Sequence, residues 1–313
     1  MFKITSTSCR ITTFVSNKKL GLTNFCFLSK KKLPAKVMDT QFNKFIYRTT
    51  RDFHNDRIAD EFETKPIYES STLEKNFDKL IGASKIKQVI ESGYYVDKTK
   101  YFQEMIEGYL GYFIIRPKHF GKSLMLDTIS EICEGKKNKQ LFKNTAIGQS
   151  PTYEWKKYAV FKFDFSKLNN ESEEQFELAL LNQMKENCKK YNIKHRESVG
   201  IMSLMHDMRE GVANLKNGYE SRAVVLIDEY QAPLNNCQNK NKIIRIMRHF
   251  FCNLKGKAMV LVTGSSRFGL ADIFSPAHNL FDATLYGDVS AICGFTKSEL
   301  TEVFEDKITE MHR

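Results

Sequence analysis

With 313 residues, 42% of them hydrophobic, the chain can bury one sizeable core and a small second unit. No apolar run approaches the ~20 residues of a membrane-spanning helix, which predicts a soluble globular protein with no membrane partner. The net charge of +11 does not by itself make a nucleic-acid binder: eight of the 48 basic residues and none of the 37 acidic ones fall in residues 1–38, leaving the remainder close to neutral.

Residues 1–38 are basic, free of acid and rich in Ser and Thr, the composition of a mitochondrial presequence. A single Arg and many β-branched residues make a poor amphipathic helix, so a disordered, solvated tail on a cytoplasmic protein is the favoured reading. Seven cysteines, at 9, 26, 133, 188, 237, 252 and 293, form no C-x-x-C pair, and His249 with Cys252 lacks two further ligands for zinc. Scattered reduced thiols suit a cytosol-like compartment. Residues 39–75 read as a linker or extension, and dense patterning over 76–313 marks one domain.

Strands are predicted at Gly111–Ile115, Tyr158–Asp164, Ala223–Ile227, Lys257–Thr263 and Val289–Cys293. Helices are predicted at Lys100–Glu107, with Asp97 or Thr99 as its cap, and at Ser123–Cys133, Gln175–Tyr191 and Ile243–Leu254. Thr296-Lys297-Ser298-Glu299 is a capping box that starts a last helix, with Phe295 placed to staple to Leu300. Strands alternating with helices predict an α/β fold, a three-layer sandwich around a mostly parallel five-stranded sheet.

The stretch YFIIRPKHFGKSLML, Tyr112–Leu126, runs from strand to helix through Phe-Gly-Lys-Ser. A phosphate-binding loop reads G-x-x-x-x-G-K-[ST], and here Arg116 occupies the first glycine position. Amides at the helix start would face an anion. Lys122 would reach the β- and γ-phosphates, and the Ser123 hydroxyl would take a place on Mg²⁺. The residues expected around ATP are Arg116, Pro117, Lys118, His119, Phe120, Gly121, Lys122, Ser123 and Leu124. Pro117 fixes the approach to the turn, and Gly121 is expected to permit close backbone approach.

The run AVVLIDEYQAPL, Ala223–Leu234, ends a buried strand in two carboxylates, where an open α/β sheet binds its ligands. Asp228 is expected to hold Mg²⁺, and Glu229 to orient or deprotonate the attacking water. In AMVLVTGSSRF, Ala258–Phe268, Thr263 and Ser265 stand where they could sense the γ-phosphate or the water, although a simple turn is the plainer explanation. A loop after the first strand, Asp-Glu after the third and a polar end after the fourth is the order of P-loop ATPases that use a catalytic glutamate.

The chain also resembles the AAA-ATPase-like domain of predicted ATPases that is often followed by a PD-(D/E)XK nuclease-like domain. The resemblance rests on YYVDKTKYF (Tyr94–Phe102), IIRPKHFGKSLML (Ile114–Leu126), VVLIDEYQAPL (Val224–Leu234), VTGSSRF (Val262–Phe268), DIFSPAHNL (Asp272–Leu280) and CGFTKSEL (Cys293–Leu300). It covers roughly Asn76–Leu300. In that family Arg is usual at the position of Arg116. His119 stands where the family usually has Arg, and Gln231 where an Asp usually follows Asp-Glu-Tyr. Both departures bear on hydrolysis more than on binding. The sequence stops soon after the Thr296 cap, short of the helical lid and nuclease-like region that the resemblance places further on, and Arg267 is the nearest candidate for an arginine that completes the site.

The resemblance implies Mg²⁺-dependent binding and hydrolysis of ATP, with Glu229, Lys122, Thr263 and Arg267 as catalytic residues and Ser123 and Asp228 at the metal. It implies coupling to motion in a protein partner or nucleic acid and leaves a homo-oligomer open. A catalytically idle nucleotide-binding or interaction module, the remnant of an ATPase-nuclease protein, is the alternative.

Overall fold

The apolar runs that mark the strands are buried on both faces, and consecutive side chains explain how. Val224 and Leu226 point to one side of the sheet, Val225 and Ile227 to the other, and each set joins a different core. A computed structural model describes residues 75–311, apart from 81–82, 84, 109–110, 198–199, 236, 238, 255–257, 275–279, 285, 287–288 and 290. The expectations for the basic tail and for nearly all of the linker lie outside the described residues. Among the described residues, no helix is long and apolar enough to cross a membrane.

Five strands form the sheet: β1 (Gly111–Ile115), β2 (Val160–Asp164), β3 (Ala223–Asp228), β4 (Ala258–Gly264) and β5 (Leu280–Asp282). Their order is β2-β3-β4-β1-β5, and every pairing is parallel. Six helices of nine residues or more are described: α1 (Thr99–Glu107), α2 (Lys122–Cys133), α3 (Glu173–Lys190), α4 (Ile201–Ala213), α5 (Lys240–Asn253) and α6 (Lys297–Met311). Phe176, Leu180, Met208 and Phe250 of α3, α4 and α5 cover one face; Phe102, Met105, Ile129 and Ile132 of α1 and α2 cover the other. The result is a three-layer α/β/α sandwich.

The carboxyl ends of β1, β3 and β4 are in register, with Ile115 opposite Gly264 and Ile227 opposite Val262. The residues that follow these strands therefore emerge along one edge. β4 returns beside β1 while β5 pairs with its other side, so the loop after β1 opens where the strand order reverses, the crevice in which open α/β sheets hold ligands.

One local expectation is corrected. The described residues of 289–293 form no strand: Val289 N donates to Tyr286 O at 3.1 Å and Ile292 N to Val289 O at 3.1 Å, so turns use backbone groups that a ladder would need. The hydrophobicity of this stretch reflects burial of Ile292 and Cys293 in the core beside α2, while β5 is the three-residue Leu280–Asp282. Phe295 meets Phe304 edge to face, with ring centroids 5.7 Å apart, at the point where α6 leaves helical geometry.

The capping box itself closes reciprocally: Thr296 N donates to Glu299 Oε2 at 2.7 Å, and Glu299 N to Thr296 Oγ1 at 3.3 Å. The other Glu299 oxygen takes Lys98 Nζ at 2.5 Å, an ammonium that is nearly buried. Thr296→Ala should cost about 1 kcal/mol, the ordinary value of a lost cap. Glu299→Ala should cost more, because it also leaves Lys98 without its carboxylate. Urea unfolding midpoints compare the two, and equal losses would show that the Lys98 pair contributes nothing.

Candidate functional site

Helix α2 follows Gly121, its N-cap, which adopts φ +80° and gives no side-chain cap, so the first amides of the helix have no partner from a capping side chain. An added Cβ at Gly121 would meet nothing within 4 Å. Glycine is therefore demanded here by the left-handed backbone rather than by crowding within the protein. His119 is also left-handed, at φ +65°. Histidine is among the side chains enriched in that region, which gives a physical reason for His at this position.

Lys122 is 4% exposed. Its ammonium donates to the carbonyls of Arg116 and Pro117, each at 3.1 Å, and pairs with Glu229 Oε1 at 3.1 Å. Next to it, Ser123 Oγ donates to Asp228 Oδ2 at 2.5 Å. Lys122, Ser123, Asp228 and Glu229, from the ends of two strands separated by β4, thus stand in direct contact.

The remaining expected residues divide. Arg116 turns its guanidinium onto backbone, donating to Ile115 O at 2.9 Å and Thr284 O at 2.5 Å, where it fastens the loop to the segment after β5. Lys118, His119 and Phe120 are exposed, and Leu124 is half-buried. Thr263 is fully buried and donates to Asp228 Oδ1 at 2.6 Å, so it acts on the carboxylate and has no free face for a ligand. Arg267 pairs with Asp282 at 2.7 Å, and no described bond ties it to Asp228 or Glu229. The N-cap of α1 is Lys98 rather than Asp97 or Thr99, and it makes no side-chain cap; Asp97, one residue earlier, accepts from Thr99 N at 2.8 Å, and its second oxygen accepts from Ala146 N at 2.6 Å. His278 and Asn279 lie outside the described residues.

Gln231 shapes the site in a way that was not expected of it. Glu229 sits at φ +50°, and its Oε2 accepts from Gln231 Nε2 and, at 2.9 Å, from Ser265 Oγ. Gln231 is buried and spans the gap, its Nε2 reaching Ser265 Oγ at 2.7 Å and its Oε1 accepting from Ser265 N at 3.2 Å. Burial pushes the Glu229 carboxyl up, but hydrogen bonds from Gln231, Lys122 and Ser265 outweigh it and hold the group below the usual glutamate value. It is a carboxylate at neutral pH. A short acid in place of Gln231 would set a second negative charge beside it; the amide donates instead.

Tyr230 anchors this arrangement. Its buried hydroxyl donates to Ser266 O at 2.9 Å and Phe268 O at 3.1 Å, and its ring lies 4.9 Å from that of Phe113. The ring leaves no room opposite it: a Cβ on Gly264 would stand 2.5 Å from Tyr230 Cε1 and 2.6 Å from Gln231 Oε1. Gly264→Ala should therefore destabilise the fold by about 2 kcal/mol, within the range for overpacking a rigid core. A thermal melt unchanged from wild type would contradict the packing described.

A profile of the predicted AAA-ATPase family, AAA-ATPase-like, matches residues 80–274. An uncharacterized protein in the vnfD 5′ region of Azotobacter chroococcum mcd 1 is 27% identical over 235 residues, which is 70% of this chain and 43% of the relative. The chain thus spans less than half the length of that curated relative. Among solved structures, a Walker-type ATPase of Pyrococcus abyssi is similar at a TM-score of 0.38 and 13% identity, over 69% of this chain and 57% of that one. The profile match takes in the loop after β1, the acids after β3 and the polar end of β4, and the chain belongs to the AAA-ATPase-like family of predicted AAA-ATPases.

Proposed function

We propose that the chain binds ATP with Mg²⁺ on the Arg116–Leu124 loop and hydrolyses it with Glu229. The observation that carries this reading is the contact of Lys122 with Glu229 at 3.1 Å beside that of Ser123 with Asp228 at 2.5 Å. A lysine, a hydroxyl and two carboxylates with distinct partners converge on the uncapped start of α2.

The donor set fits Mg²⁺. Among the described residues no three His, Cys, Asp or Glu side chains cluster as a cage. A hydroxyl and one carboxylate in contact suit a cation that keeps several waters and takes phosphate oxygens. Ser123 and Asp228 would hold it, and when bound it would neutralise charge developing on the phosphates. Thr263 keeps the Asp228 carboxylate oriented. Phosphate oxygens would replace Glu229 as the third partner of Lys122, while Gln231 and Ser265 retain Glu229 Oε2. The freed Oε1 could then accept a hydrogen bond from the attacking water and help take its proton. Coupling of this cycle to a protein partner or nucleic acid belongs to the same proposal.

Calorimetric titration of the full chain with Mg-ATP, followed by phosphate release on the same sample, tests the reading. Saturable, Mg²⁺-dependent binding followed by release is expected; neither heat nor release would overturn it. A second reading, an idle nucleotide-binding module, is favoured by one observation: Arg267, the nearest arginine for completing the site, is engaged by Asp282. Binding without release would select it.

A further inference from the structure

Helix α5 carries its charge against two rules of helix stability. Lys240, Lys242, Arg245 and Arg248 lie in it with no Asp or Glu, and two of the four stand in the first turn, where the helix dipole disfavours cations. Lys242 and Arg245, like Arg245 and Arg248, are three residues apart, a spacing at which like charges repel. Arg245 is exposed on the side opposite the buried Ile243, Met247 and Phe250, and it makes no ion pair or hydrogen bond among the described residues. Two of the cations have local partners: Lys242 pairs with Glu173 at 2.8 Å, and Arg248 Nε donates to the Asp272 carbonyl at 2.9 Å. Among the described ion pairs, Glu173 is the one carboxylate that reaches these four cations. At the start of the helix, Lys240 Nζ lies 4.9 Å from the ring centre of Phe268, which the loop after β4 leaves 48% exposed.

We infer that α5 and Phe268 form a docking surface for a single-stranded nucleic acid. The uncompensated cations call for an anion, and the exposed ring beside an ammonium decides its kind. A base stacks on an aromatic ring while its phosphates meet the cations, whereas an acidic peptide has no use for the ring. The segment from Ser265 to Phe268 joins this surface to the phosphate site. Ser265 Oγ donates to Glu229 Oε2 at 2.9 Å, and the hydroxyl of Tyr230, the residue after Glu229, donates to Phe268 O at 3.1 Å. A nucleic acid stacked on Phe268 therefore bears on the segment that holds Glu229, and its docking raises phosphate release. Docking stands on the surface itself; its effect on release rests on the ATPase reading above and gives that reading its partner.

The test uses the full chain and a fluorescently labelled oligodeoxythymidylate of about 20 nucleotides, long enough to cover such a surface. Anisotropy should report binding that weakens with salt. Lys240→Glu combined with Arg245→Glu should weaken it by about tenfold or more, and Phe268→Ala by about tenfold, within the range for one lost base stack. Lys189→Glu combined with Lys194→Glu, the same charge change at exposed positions outside α5, should leave it within about twofold. Every variant keeps the basic residues 1–38, so the contrast between the two charge pairs belongs to the surface. With Mg-ATP present, the oligonucleotide should raise wild-type phosphate release by about fivefold or more, and Phe268→Ala should lose that rise. Equal losses in the two charge pairs, or wild-type binding by Phe268→Ala, would overturn the surface. Polyglutamate that displaces the oligonucleotide as effectively, charge for charge, would also overturn it and point to an acidic protein. Wild-type release that the oligonucleotide leaves unchanged would overturn the coupling alone. No release with or without it would instead fail the ATPase reading and the coupling together, while the binding contrast still decides the surface.

Discussion

Lys122→Ala is expected to abolish measurable ATP binding, with a loss of about two orders of magnitude or more. The ammonium is 4% exposed and fixed by two loop carbonyls, Arg116 O and Pro117 O, at 3.1 Å each. It is pre-positioned, so binding a phosphate need not spend the entropy of a free lysine. Charge-assisted hydrogen bonds contribute roughly 1.5–3 kcal/mol each, and about 1.4 kcal/mol is tenfold in affinity, so losing one or two of them reaches the stated range. The fold should lose only about 1–2 kcal/mol, from the same carbonyl contacts. Glu229 keeps Gln231 and Ser265 and is not stranded. Titration calorimetry together with urea unfolding measures both quantities; wild-type affinity in a folded variant would remove the loop from the binding site.

The parts of this site that the sequence makes legible are those encoded within a few residues. Gly121, Lys122 and Ser123 are adjacent, and so are Asp228 and Glu229, each group at the end of a buried run that reads clearly because a parallel strand is covered on both faces. What is not legible depends on neighbours distant in the chain. Gln231 reaches Glu229 only because β4 lies beside β3 and brings Ser265 within 2.7 Å of its amide. The guanidinium of Arg116 goes to a carbonyl 168 residues away. A phosphate role for it is an easy reading of the loop, whereas its contact with that carbonyl comes only with the fold.

The fold shows the same division. The first strand is legible to the residue, whereas β5 is three residues long and the more apolar Val289–Cys293 competes with it on hydrophobicity alone. Helix α4 does carry a signal in the sequence: Ile201, Leu204, Met205, Met208 and Val212 follow helical spacing and are buried. β5, at three residues, carries no comparable pattern.

Glu229→Gln is expected to stop phosphate release while keeping ATP bound, and to bind it more tightly than wild type. The pocket around Oε2 requires an acceptor, because Gln231 Nε2 and Ser265 Oγ both donate there. A glutamine at this position must place its carbonyl oxygen at that point, which turns its NH₂ toward Lys122. The ammonium, formerly paired with Oε1 at 3.1 Å, then faces a donor instead of a carboxylate. In wild type the nucleotide must compete with Glu229 for Lys122; in the variant that competitor is gone, so affinity should rise by about tenfold, the equivalent of about 1.4 kcal/mol. Turnover should fall by about 10²–10⁴, the usual contribution of a positioned general base. Single-turnover phosphate release and equilibrium titration on the same variant separate the two effects. If release persists near the wild-type rate, Glu229 is not the base; if ATP binds more weakly, Glu229 and the phosphates do not compete for Lys122.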